Sequence, residues 1–252
     1  LEAHGESRER RAAHATRTRY ATARLVARKP NQIWTWDITL LKARGRRTLY
    51  LYVIIDIFSR YVVGWLVAEH EREELAHALI QRTIERQGVD PDELTLHADR
   101  GSVMRSLTVS ELLRELGVKR SHSRPRVSND NPFSEAQFKT TKYHPTFPEC
   151  FEDLGHARRF CRVYMAWYNE DHHHTGLALL TPSTVHRGRT KEVLSTRQAA
   201  LDVAYNAHPE RFVMGPPRTP WPPREVWINP PPEPAPPDAQ QPTKGIELAT
   251  EA

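Results

Sequence analysis

Hydrophobic and polar positions change rhythm along the chain. After Pro30, three segments are dense in β-forming residues: Ile33 to Leu41, Leu49 to Phe58 and Tyr61 to Ala68. Gly45 with its flanking arginines marks the first turn and Ser59-Arg60 a tighter second one. Connections this short imply an antiparallel meander. The middle segment lacks polar alternation, which predicts a central strand covered on both faces. The period then lengthens to that of a helix, with Leu75, Leu79, Ile80 and Ile84 forming a stripe that stops near Gly88. Asp90-Pro91 turns the chain into a short strand, Leu94 to Ala98. Val109, Leu112, Leu113 and Leu116 fall at i, i+3, i+4 and i+7, with Thr108 and Glu111 as a capping box and Gly117 as the stop. Val118 to Ser123 fits a fifth strand. A loop over 124–131 leads to a helix from about Pro132 behind Asn131 as N-cap, and a further helix runs from about Leu154 to Asn169. The predicted order, β-β-β-α-β-α-β followed by helices, belongs to the α/β class, with three antiparallel strands and then alternating α and β in a mixed sheet.

The two ends read differently from this body. Residues 1–30 are polar, Arg-rich and Ala-rich, and are expected to form an arm or a weak helix. Twelve of the twenty prolines lie in residues 215–242, a composition that favours extended chain over helix or central strand. Trp221, Val226, Trp227 and Ile228 are positioned to anchor the first half of that segment as a small strand, and disorder is expected beyond Pro230. The organisation expected is therefore an arm over 1–30, a core over 31–190, a C-terminal extension over 191–229 and a Pro-rich tail over 230–252.

Composition excludes some classes and shifts others. No apolar run approaches the ~18–20 residues of a membrane helix, so no membrane partner is expected. The segment from Leu1 to Gly5 has no signal-peptide core, and Cys150 and Cys161 are too few for a disulfide framework or a four-cysteine zinc site, which fits a reducing cytoplasm. A start at Leu1 rather than Met is the expectation for a fragment or a reading-frame product. The chain carries a formal net charge of +5, and residues 1–30 alone hold eight Lys and Arg against three Glu. A second basic zone over 119–142 holds Lys119, Arg120, Arg124, Arg126, Lys139 and Lys142 against Asp130 and Glu135. Two basic zones on an otherwise neutral chain point to a polyanion, most simply nucleic acid; a solvated tail with a chance cluster is the alternative.

Three carboxylates are placed where this architecture brings elements together. Asp37 lies inside the first predicted strand, where alternation sets Thr35, Asp37 and Thr39 on the face opposite Trp34, Trp36 and Ile38. A carboxylate among β-formers is costly to bury unless it is paired or binds a cation. Asp99 follows the fourth strand at its carboxyl end, where α/β sheets bind ligands. Glu135 lies in the first turn of the helix after the basic loop, and Lys139 and Lys142, at i+4 and i+7, share its face. Three oxygen-donor groups around one point select Mg²⁺, or Mn²⁺ in its place, over zinc. Two such ions ~3.5–4 Å apart suit phosphodiester chemistry. Singly, each acid has an ordinary structural explanation; their joint placement is what points to a site.

The local strings carry a resemblance. Asp99 and Glu135 are separated by 35 residues, and Asp37 stands in Trp34-Thr35-Trp36-Asp37-Ile38-Thr39. With the strand Tyr52 to Arg60, the segment His97-Ala98-Asp99-Arg100-Gly101-Ser102, the stretch Ser123 to Glu135, and Tyr168-Asn169, His174 and Thr181-Pro182 further on, the chain resembles the DDE catalytic core of retroviral integrases and bacterial insertion-sequence transposases over about residues 30–190. That resemblance implies a ribonuclease-H-like fold. It also implies Asp37, Asp99 and Glu135 as catalytic and metal-holding acids, Mg²⁺ as cofactor, and cleavage and strand transfer at DNA element ends and target as the reaction. Lys139, Lys142, Arg124 and Arg126 are then the expected DNA contacts, and a homo-oligomer on DNA, nucleoid-associated in a bacterial cytoplasm, is the expected working form. The family often has Arg where this chain has His173. No helix-turn-helix pattern is evident upstream, so recognition of element ends is expected to need sequence missing here or a second polypeptide. Two alternatives stay open on sequence alone: a two-metal nuclease of the same fold that only hydrolyses, and a truncated DNA-binding protein without catalysis.

Overall fold

Alternation along Ile33–Ala43 dictates a strand that buries different residues on its two faces, and the whole fold is built around it. The computed structural model of the protein describes residues 23–99, 107–124 and 131–232. The strands are β1 (Leu25–Ala27), β2 (Ile33–Ala43), β3 (Arg47–Asp56), β4 (Val62–Ala68), β5 (Thr95–Ala98), β6 (Lys119–His122) and β7 (Val226–Ile228). The helices are α1 (Glu73–Gln87), α2 (Leu107–Glu115), α3 (Pro132–Lys142), α4 (Leu154–Glu170), α5 (Pro182–His186) and α6 (Thr190–Ala207).

Five strands form one mixed sheet in the order β4-β3-β2-β5-β6. The meander is antiparallel: Asp37 pairs with Val53 across β2 and β3, and Val53 with Trp65 across β3 and β4. The loop Arg44–Arg46 closes the first hairpin with Gly45 and Arg46 both left-handed, at φ 73° and 59°, a conformation glycine adopts freely. β5 then pairs in parallel with β2, Trp36 opposite Ala98, and β6 in parallel with β5. The first and fourth strands of the predicted meander-and-crossover order are therefore neighbours, as expected, and β3 is an interior strand buried along most of its length.

The two faces of the sheet carry separate cores. Trp34, Trp36, Tyr52 and Ile54 pack under α1 and α2 through Ala76, Ile80, Val109 and Leu113. Leu41, Leu51, Val53 and Val67 pack on the other side under Phe138 of α3 and Ala157, Cys161, Tyr164 and Tyr168 of α4. Asp153 caps α4 by accepting from the His156 amide at 2.7 Å. Near its other end, Asn169 closes the β4 edge, accepting from Val62 N at 2.8 Å and donating to Val62 O at 3.1 Å.

Asp56 ends β3 as a wholly buried carboxylate, and its burial is matched by donors, as it must be. It accepts from Asn31 N, Ser59 N and Ser59 Oγ at 2.6–2.7 Å. Ser59 Oγ also meets His186 Nδ1 at 2.9 Å, tying α5 to the β3–β4 turn.

Some features differ from the sequence reading. Leu107 is already helical, so Thr108 lies inside α2 and not at its cap position. Leu25–Ala27, within the segment read as arm, forms β1 and pairs antiparallel with β7, Leu25 opposite Ile228. The small strand expected around Val226 is thus present, and its partner is the start of the chain's described part. Helix α6 has no counterpart in the predicted pattern. The rest of the arm (residues 1–22) and the end of the tail (233–252) lie outside the described residues.

Candidate active site

The three acids read from the sequence come from three elements that the sheet order brings to one place. Asp37 stands on β2 on the face covered by α3. Asp99 follows β5 directly, and the parallel Trp36–Ala98 register puts it beside Asp37. Helix α3 crosses this region because its buried stripe is Ser134, Gln137, Phe138 and Thr141, the i, i+3, i+4, i+7 pattern of a helix lying on a sheet. Ser134 Oγ donates to Thr35 Oγ1 at 3.0 Å, pinning the first turn of α3 to β2 two residues from Asp37.

The carboxylates are close enough to feel one another. Asp37 is raised from the ordinary 3.8 to about 6, first by burial and then by the negative charges of Asp99 and Glu135; the Ile38 amide and the Lys142 charge act in the opposite direction. Glu135, though exposed, is raised by desolvation and by Asp99. Each of the two aspartates engages a local donor: Asp37 Oδ1 accepts from Ile38 N at 2.8 Å, and Asp99 Oδ1 from Ser123 Oγ at 2.6 Å. Among the described residues no three His, Cys, Asp or Glu side chains are gathered as a ready metal cage. The donor set is nonetheless all carboxylate oxygen, which suits a hard divalent cation and no soft one.

Ser123 is the site residue that sequence reasoning passes over. Its hydroxyl links Asp99 to the fully buried His97, whose Nε2 lies 3.3 Å away and whose Nδ1 meets Ser121 Oγ at 3.0 Å. Only the register of the folded strands reveals it: Ala98 pairs with His122, so the next residues along, Asp99 and Ser123, meet. The arrangement is a relay of hydrogen bonds that orients Asp99.

The basic residues are placed unequally. Lys139 and Lys142 are exposed on the outer side of α3 with Glu135, and the charge of Lys142 reaches Asp37. Arg124 follows Ser123 and is partly buried. Arg126 lies outside the described residues. The Trp34 and Trp36 rings are core, not a base-stacking surface, as the alternation predicts. The histidine run is less solvated than expected: His172 stacks on Tyr168, and burial together with the Arg60 charge lowers His174 to about 4. No helix among the described residues is long and apolar enough to cross a membrane.

Comparison with known proteins bears on the fold. Two family profiles, both described as integrase core domain, match residues 27–128 and 116–182. The transposase for insertion sequence element IS904 of Lactococcus lactis is 31% identical over 157 residues, which cover 62% of this chain and 61% of the relative. The putative transposase InsK for IS150 of Escherichia coli is 28% identical over 62% of this chain and 54% of its own length. The match thus spans little more than half of each of these relatives. Among solved structures, a chain of the simian T-cell lymphotropic virus intasome in complex with PP2A regulatory subunit B56 gamma superposes with a TM-score of 0.51 at 19% identity, covering 64% of this chain and 55% of that one. At that identity the likeness concerns the fold, which is ribonuclease-H-like. Residues 27–182 of the chain match the integrase core domain, and the chain is similar there to transposases of insertion sequences.

Proposed function

We propose that this chain is the catalytic part of a DDE-type transposase that cleaves DNA at the ends of a mobile element and joins the freed ends to target DNA. The observation that carries the reading is the field at Asp37: a partly buried carboxylate on a central strand, raised to about 6 by burial and by two further acids from separate elements. Such repulsion is unfavourable for a fold and favourable for a site that takes up positive charge.

In this reading Asp37, Asp99 and Glu135 hold Mg²⁺, with Mn²⁺ able to replace it, and the ions when bound supply activation of the attacking oxygen and neutralisation of the leaving one. Ser123 and His97 fix the orientation of Asp99. Lys139 and Lys142, one and two turns along α3 from Glu135, hold the phosphate backbone beside the acids, and Arg124 and Arg126 extend that contact. Residues 1–22 add a sequence-independent basic contact. The DNA is element end and target in turn, the working form is a homo-oligomer on DNA, and recognition of element ends comes from a region or polypeptide beyond this chain. The place of work is the bacterial cytoplasm, on the nucleoid.

The test is a cleavage and joining assay on element-end DNA in Mg²⁺ with Asp37→Asn, Asp99→Asn and Glu135→Gln. Each substitution should abolish both steps while leaving the circular dichroism of the fold unchanged. Wild-type activity in any one of them removes that residue from the site. Nicking without joining by the wild type would assign the same site to a hydrolytic nuclease.

A further inference from the structure

Glu135 sits in a helical turn whose own anchors are few. Asn131 occupies the N-cap position of α3, yet its side chain makes no capping hydrogen bond, and both its Oδ1 and Nδ2 are buried without a partner. Among the described residues the turn is tied to β2 by one neutral side-chain hydrogen bond, Ser134 to Thr35. A further grip is Phe133. Its ring packs on a small separate core formed by Ala27 of β1, Val226 and Ile228 of β7, and Ile33 and Ile57 beside them. From another side the Arg60 guanidinium lies over the same ring, 4.3 Å from its centroid. Arg60 is held in turn by the β3–β4 connection, where it is left-handed at φ 63° and its amide donates to Asp56 O at 2.8 Å.

Residues two apart on a helix point about 200° away from each other. Phe133 therefore faces the small core that β1 and β7 help to form, while Glu135 projects from the far side of the same turn. The buried stripe seats the helix as a whole, and its first turn, with one hydrogen bond to the sheet among the described residues and no side-chain cap, is held further by that ring. We propose that the two-stranded clasp of β1 and β7 sets the position of Glu135 through Phe133, which makes Phe133 a positioning residue for the acid cluster. The inference rests on reading Asp37, Asp99 and Glu135 as the cleavage site. It goes beyond that reading by giving the C-terminal extension and the first described strand a part in the site's geometry.

The experiment compares the full chain with Ile228→Ser, Phe133→Ala and Phe133→Leu by two measurements: amide hydrogen exchange resolved over β1, β3 and α3, and steady-state DNA cleavage in Mg²⁺. Ile228→Ser and Phe133→Ala should speed exchange in the first turn of α3 while β3 stays protected. They should lower kcat by about 10–100-fold, the cost of a small misplacement of a reacting group, with KM for DNA nearly unchanged. Phe133→Leu keeps apolar bulk against the clasp and should retain most of the activity. Faster exchange in β1 with α3 exchange and kcat both unchanged would overturn the proposal. Should Ile228→Ser expose β3 as well, the milder Val226→Ala takes its place in the same comparison. A wild-type chain that fails to cleave DNA even with the end-recognising region or polypeptide supplied, while α3 exchange still responds to the clasp, would refute the proposed function and leave the positioning intact. An α3 that does not respond refutes the positioning whatever the activity.

Discussion

Replacing Asp37 with Asn should stabilise the protein in the absence of divalent cations. The substitution keeps the shape of the side chain and an oxygen to accept from Ile38 N, and removes the charge that opposes Asp99 and Glu135. A rise from 3.8 to about 6 corresponds to about 3 kcal/mol of unfavourable free energy for the ionised group in the folded state. The sign follows from proton linkage. Between these two values the folded protein binds more protons at Asp37 than the unfolded chain does, so wild-type stability from this group is fully present below about 4 and lost as pH rises through about 6. Asn has no such loss. Urea unfolding in EDTA should therefore show the two proteins alike near pH 4 and the variant more stable by about 2–3 kcal/mol at pH 7.5. Adding Mg²⁺ should reverse the order, because a ligand that binds only the folded wild type stabilises it by mass action. A variant equal to or weaker than wild type at pH 7.5 in EDTA would mean that the Asp37 charge is satisfied by its surroundings, and the account of the site as a strained acid cluster would fail.

Other perturbations have equally definite outcomes. Lys139→Ala and Lys142→Ala should each reduce the salt dependence of duplex DNA binding by roughly 0.9 in log–log slope, read from titrations at several salt concentrations, and both should lower cleavage beyond their effect on binding. Ser59→Ala leaves the buried Asp56 carboxylate and His186 without their shared hydroxyl, and should cost about 1–3 kcal/mol in urea unfolding with no selective effect on DNA affinity. Of the two thiols, only exposed Cys150 should react with a disulfide reagent under native conditions. The second should appear on unfolding, because burial pushes Cys161 up to about 12.

What could be read from the sequence was what its own neighbourhood decides. The strands β2 to β4 are dense in β-formers and joined by short turns, so their order and direction follow locally. The buried stripe of α1 shows at helical spacing for the same reason. Helix α6 gave no such signal because only Leu194 of its 18 residues is buried, which leaves no apolar face to read. β1 is three residues long and becomes a strand only through a partner about two hundred residues away, a dependence on context that strand propensity does not capture. The places of Asp37, Asp99 and Glu135 in the fold were legible because alternation, a strand end and a helix start mark them. Ser123 was not, because its role depends on register between two parallel strands, and register is a property of the pair.

The antiparallel pairing of Leu25–Ala27 with Val226–Ile228 also orders events in time. Closing a loop of about two hundred residues costs more chain entropy than closing the hairpins of the meander, so local contacts form first and this pairing follows. On the ribosome the delay is absolute, since Leu25 emerges long before Val226 is made. The five-stranded sheet has all its strands once His122 has been synthesised; the clasp must wait for the extension. The same three-residue pairing, short and outside the main sheet's hydrogen-bond ladder, is also where the folded molecule opens at least cost. The last contact to form is thus the first to come apart.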